Sequence, residues 1–171
     1  MKTNQSSEQK ASSLITELCR ALYQNADYEP EISHFAQQSR VVVEVDLSPY
    51  DLGIVIGGRG SLKHAVQQLI AYSCQLEEWE VHLQYVSDKS SASRPYVERQ
   101  KPALDAVEPV VHAVASMIDG TARLEAGKLS VTALIETEQV LTSALKAAVA
   151  RVIRTAGKAN GFPASTYIET I

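Results

Sequence analysis

The chain has 171 residues, 45% of them hydrophobic and 21% charged, with a formal net charge of −4. This balance excludes wholesale disorder and provides for a buried core, while the length suits two domains of about 80 residues. The N-terminal MKTNQSSEQKASS lacks the apolar run of a signal peptide, and no stretch approaches the ~20 apolar residues that span a bilayer, so a cytoplasmic chain with no membrane partner is expected.

The first 11 residues are polar and predict a flexible tail. Leu14, Ile15, Leu18, Cys19 and Leu22 then repeat at three and four residues, the mark of an amphipathic helix. A polar stretch around Glu31 to Phe35 fits a first strand. Val41, Val43, Val45 and Leu47 alternate with Val42, Glu44 and Asp46, the period of a half-buried strand. Ser48 and Pro49 read as the cap and first residue of a short helix through Asp51 to Ile56. Leu62, Ala65, Val66, Leu69, Ser73 and Leu76 mark one face of a longer helix, and Val81, Leu83 and Tyr85 alternate as a further strand. The order is α-β-β-α-α-β.

A serine-rich, proline-interrupted segment over residues 88–102 has the composition of a linker. Beyond it, Val107, Val110, Val111, Val114, Met117 and Ile118 carry helical spacing, with Pro109 near the helix start. Strands fit Thr121 to Glu125 and Lys128 to Ile135, separated by Ala126 and Gly127. A long helix is predicted over Gln139 to Lys158, and Ala164 to Ile171 is strand-like. This half repeats the first without the short helix and its glycines, so the expected domains are residues 12–87 and a degenerate copy at 103–171.

The chemistry-bearing residues are sparse. Cys19 and Cys74 have no second thiol at metal or redox spacing and read as small buried hydrophobes. The four histidines form no helical ligand pair, so neither metal nor cofactor is expected. No nucleophile or general-base constellation is apparent, and no enzymatic activity is expected.

The informative stretch is IVIGGRGSLKHAVQQL, from Ile54 to Leu69. A Walker A loop fails because Arg59 and Gly60 stand where lysine and Ser/Thr are needed. The dinucleotide fingerprint fails because Lys63 occupies the place of the third glycine. With VVVEVDLSPYDLGIVIG before it and an apolar-patterned helix after it, Gly57-Gly58-Arg59-Gly60 resembles the GxxG loop of the K-homology (KH) domain. The element order resembles type II, and the first half is similar to the small bacterial KH-domain RNA-binding proteins of the KhpA kind. The second half resembles a KH domain in element order alone.

The resemblance implies an α+β fold of two tandem type II KH-like domains, each a three-stranded sheet with helices packed on one face. It also implies a protein that clamps single-stranded RNA through the loop, as a small-RNA or RNA chaperone or a ribosome-related factor, with the glycines admitting the nucleic-acid backbone closely. The expected RNA-binding residues are Gly53, Ile56, Gly57, Gly58, Arg59, Gly60, Ser61 and Lys63. Of these, Arg59 and Lys63 supply charge, Ser61 a hydrogen-bond donor, Gly53 access for a base and Ile56 the apolar groove floor. The alternative is a protein-interaction or homodimerisation module in which the second half docks a partner.

Charge complicates the RNA reading. Residues 1–88 hold 6 Lys+Arg against 12 Asp+Glu, a net of −6, and residues 89–171 hold 10 against 8, a net of +2. The glycine loop thus lies in the acidic half. Glu77, Glu78 and Glu80 are expected at the far end of the loop's helix, roughly 25 Å away at ~1.5 Å per residue. In the second half, Arg151, Arg154 and Lys158 fall within about 60° on a helix, with Lys146 farther round.

Overall fold

A computed structural model describes residues 3–23, 31–37, 40–46, 56–86 and 104–171. The expected linker over 88–102, Gly53 and all but the last residue of the short helix expected at Asp51 to Ile56 lie outside the described residues.

The apolar spacing from Leu14 to Leu22 belongs to a helix, α1, that spans Thr3–Tyr23. Most of the tail expected over residues 1–11 is therefore helical, and the reason is tertiary. Ser7 Oγ donates to the Ser73 carbonyl at 2.7 Å, Lys10 pairs with Asp119, and Ala11 is buried. Partners so distant in the chain leave no trace in local periodicity.

The first half continues with β1 (Glu31–Gln37), β2 (Arg40–Asp46), α2 (Ser61–Ser73) and β3 (Val81–Val86). The second half consists of α3 (Val107–Met117), β4 (Gly120–Ala126), β5 (Val131–Thr137), α4 (Ser143–Ala159) and β6 (Ala164–Thr170). Pro109 sits in the first turn of α3, where a missing N–H costs little. The helix expected from Gln139 starts later, at Ser143, because Thr142 caps it: its Oγ1 accepts from the Leu145 N–H at 3.2 Å. The strand expected from Lys128 starts at Val131, since Gly127 N donates to Ser130 O at 2.7 Å and closes a turn.

Two three-stranded sheets result, in the orders β1-β2-β3 and β4-β5-β6. In each, the first pair is antiparallel and the second parallel, so the two halves repeat in pairing as well as in element order. The central strand of the second sheet shows why it forms: Val131, Ala133 and Ile135 are buried, while Thr132, Leu134 and Glu136 between them face outward.

The helices of both halves pack together between the sheets, α1 on α3 and α2 on α4. Leu14, Leu18, Leu69 and Ile70 join Val110, Val114, Val149 and Ile153 in one core, each with at most 1% of its surface exposed. At about 1.5–3 kcal/mol per fully buried aliphatic side chain, this shared layer is a major stabilising term for both halves.

Contacts at the helix ends fix their directions. Ser7 of α1 touches Ser73 at the end of α2, and Lys10 touches Asp119 just after α3, so the start of α1 meets the ends of both. The side chain of Asn160, at the end of α4, donates from Nδ2 to the carbonyl of Ala21 at the end of α1 at 2.9 Å. The start of α2 and the end of α4 therefore lie at the same end of the helical layer.

Candidate nucleic-acid interface

The loop over Gly57 to Gly60 is a single 3-10 turn that leads directly into α2. Gly60 N donates to Gly57 O at 3.1 Å, and Ser61 N to Gly58 O, so the turn closes on its own backbone. Gly57 has φ 72° and Gly60 φ 73°, both in the region that side chains disfavour. A Cβ on Gly57 would also stand 2.8 Å from Leu62 Cβ.

Gly58 is different. Its φ is not positive, and a Cβ there would meet nothing within 4 Å. The fold needs glycine at positions 57 and 60 but makes no such demand at 58. Arg59 sits between them with φ 55°, an uncommon conformation for a residue with a side chain, and is exposed.

Gly57, Gly58, Arg59 and Gly60 form the turn, and Ser61 and Lys63, both half-buried, occupy the first turn of α2. Ile56 is half-buried just before the loop, and His64 is exposed. Gly53 lies outside the described residues. Among the described residues no side chain caps α2 and no acidic residue occupies its first turn; the Ser61 N–H is taken by Gly58 O, and the N–H groups that follow it, with the positive dipole end, face outward to an anion.

The expected distance to the acidic cluster is not what the chain adopts. α2 ends at Ser73, Gln75 takes φ 56°, and a 3-10 turn at Glu78–Glu80 returns the chain alongside the helix. Glu78 Oε1 lies 3.0 Å from His64 Nδ1, one turn into α2, and Glu78 Oε2 is 3.4 Å from Gln68 Nε2. The reversal is stabilised locally: the Glu77 and Glu80 side chains and backbone bond reciprocally, with Glu77 N to Glu80 Oε2 at 2.8 Å. Leu76 also hides the break, because it continues the apolar spacing of α2 although the chain has already turned. The capping pair Glu77 and Glu80, placed just before the alternating run from Val81, is the signal that locates it.

No family model, curated protein or solved structure matches this chain. The chemistry available to the site therefore follows from its own atoms. It offers backbone N–H groups at a helix start, one exposed guanidinium, one half-buried ammonium and an unobstructed glycine tip, opposed by the Glu78 carboxylate nearby. This set suits an anionic backbone held at close range. In the second half the corresponding approach to its last helix, Glu138 to Thr142, contains no glycine, and Thr142 already fills the cap. Among the described residues no helix is long and apolar enough to cross a membrane.

Proposed function

We propose that the chain is a non-enzymatic RNA-binding protein that holds single-stranded RNA at the Gly57 to Gly60 loop. Each half is read as a type II KH-like unit, of which the first alone carries the clamp. The observation that carries this reading is Gly58: the fold leaves a Cβ there in open space, so a glycine at that position is explained by close approach of something outside the chain. Helix N–H groups and Arg59 beside it favour a phosphate as that partner. The repeated pairing of the strands supports the KH-like reading of both halves.

The test is fluorescence anisotropy with short single-stranded RNA, comparing the native chain with a Gly58→Asp, Arg59→Asp variant. Loss of binding in a variant with unchanged circular dichroism and Tm is expected. Equal affinity would remove the clamp.

A second reading, docking of a protein through the second half, is favoured by exposed Val140 and Tyr167, which are 89% and 65% accessible. Sedimentation of the full chain decides whether a second copy is that partner, because monomeric behaviour throughout the micromolar range would exclude homodimerisation there.

A further inference from the structure

The acidic half holds the loop, while the other half carries a row of cations on its last helix. The helix α4 carries Lys146, Arg151, Arg154 and Lys158 and no acidic residue, and all four are exposed. None of them forms an ion pair within the described residues. Its buried face, including Val149, Val152 and Ile153, is already packed in the core. It therefore has no apolar face left with which to enter a membrane surface.

The packing fixes where these charges lie. Gln68, Ala71 and Tyr72 of α2 line one cavity of about 260 Å³ with Thr142, Ala144 and Leu145 at the start of α4. The two helices run antiparallel, with Asn160 at the end of α4 bonded to the end of α1 as described above. Ala71 and Ala144 line the same cavity, and both helices rise by ~1.5 Å per residue, so ten residues along each, Ser61 and Arg154 come to roughly the same height. Ala144, Arg151 and Lys158 are seven residues apart, close to two helical turns, and so lie on one stripe. Ala144 on that stripe faces α2 at the cavity. The α2–α4 groove thus passes from a mixed lining that includes the Glu78 carboxylate at one end to arginine and lysine towards the end where α2 begins.

We infer that Arg151, Arg154 and Lys158 form a second phosphate-binding surface that continues the path of a strand held at Gly57 to Gly60. This rests on the RNA-binding reading of the loop and extends it: the footprint crosses from the first half to the second, and the basic half supplies the charge that the acidic half lacks. Tight binding then needs an RNA longer than the four nucleotides that a single clamp grips.

The experiment compares a 4-nucleotide with a 12-nucleotide single-stranded RNA over a series of salt concentrations, using three full-length proteins. These are the native chain, the loop variant Gly58→Asp, Arg59→Asp, and an α4 variant, Arg151→Gln, Arg154→Gln, Lys158→Gln, whose neutral, exposed replacements preserve the helix. The α4 variant is expected to lose about tenfold or more in affinity for the 12-mer. Its log–log salt slope should fall by about 2, at ~0.7 per phosphate contact, while 4-mer binding stays unchanged. The loop variant is expected to lose both RNAs. Native affinity and slope in the α4 variant, with binding lost only in the loop variant, would overturn the second surface and leave the loop reading intact. Binding of both RNAs by a folded loop variant would overturn the loop reading and this extension with it. Dependence on the three cations for binding anionic phosphatidylserine vesicles, with none for RNA, would likewise reject the inferred surface.

Discussion

Asn160, 2% exposed, uses both protons of its side-chain amide: Nδ2 lies 2.9 Å from the carbonyl of Ala21 and 2.9 Å from that of Ala156. One side chain thereby ties the end of the first half's opening helix to the end of the second half's last helix. Replacement with alanine removes this donor from the Ala21 carbonyl, while the Ala156 carbonyl keeps the backbone N–H of residue 160 at 3.2 Å, and a cost of about 1–3 kcal/mol is expected. For a chain of this size Tm should fall by roughly 2–4 °C per kcal/mol. Because the halves share a core, Asn160→Ala should move one cooperative transition for the whole chain; two transitions, only one of them shifted, would show that the halves melt independently.

The glycines of the loop should separate into two kinds. Gly57→Ala must place a Cβ against Leu62 at a positive φ, and strain of about 1–3 kcal/mol is expected from the backbone alone. Gly58→Ala meets nothing and should leave Tm within about 1 °C. RNA affinity should nevertheless fall in Gly58→Ala. Urea denaturation and anisotropy on the same two variants read both effects, and a Gly58→Ala protein with native RNA affinity would mean that nothing packs against that glycine.

Glu78 should oppose binding. It stands against His64 within one turn of the start of α2, so its charge reaches the loop. Glu78→Gln keeps the size of the side chain and removes the charge. For charges roughly 8 Å apart in water the interaction is about 0.5 kcal/mol, which converts to about a twofold gain in RNA affinity, larger at low salt and smaller at high salt. Unchanged or weaker binding by the variant at 20 mM salt would place the RNA elsewhere.

Alkaline stability should depend on Tyr85. Burial, assisted by neighbouring Cys19, holds its phenol well above the ordinary value of 10.0. Above about pH 10 the unfolded chain releases this proton more readily than the folded one, so the stability present below that pH is lost as pH rises. Tyr85→Phe should flatten the fall of the urea midpoint between pH 9 and pH 11. A midpoint that declines equally in both proteins would remove Tyr85 as the cause.

Much of the fold is written in local periodicity. The apolar run at Val41 to Val45 and the spacing from Leu62 to Leu69 locate β2 and α2, although Val42 is buried with Val43 and Val45 and Val41 only half-buried, so β2 hides more than the alternation alone predicts. The loop is also legible, since the positive φ angles at Gly57 and Gly60 are demands that a sequence shows as glycine. What periodicity does not carry is the partner of each face. The helical start of α1 depends on Ser73 and Asp119, and the return of Glu78 to His64 depends on a chain reversal that Leu76 conceals. The stripe at Arg151, Arg154 and Lys158 is visible in sequence, but its position beside the loop follows only from the antiparallel packing of α2 and α4.

The most direct test of RNA clamping is an NMR titration of the ¹⁵N-labelled full-length chain with single-stranded RNA, read at backbone amides. Shift changes concentrated at Gly57 to Lys63 and extending to Arg151, Arg154 and Lys158 with a 12-nucleotide strand are the expected result. Saturable RNA binding that leaves the amides of Gly58, Arg59 and Ser61 unmoved would contradict it.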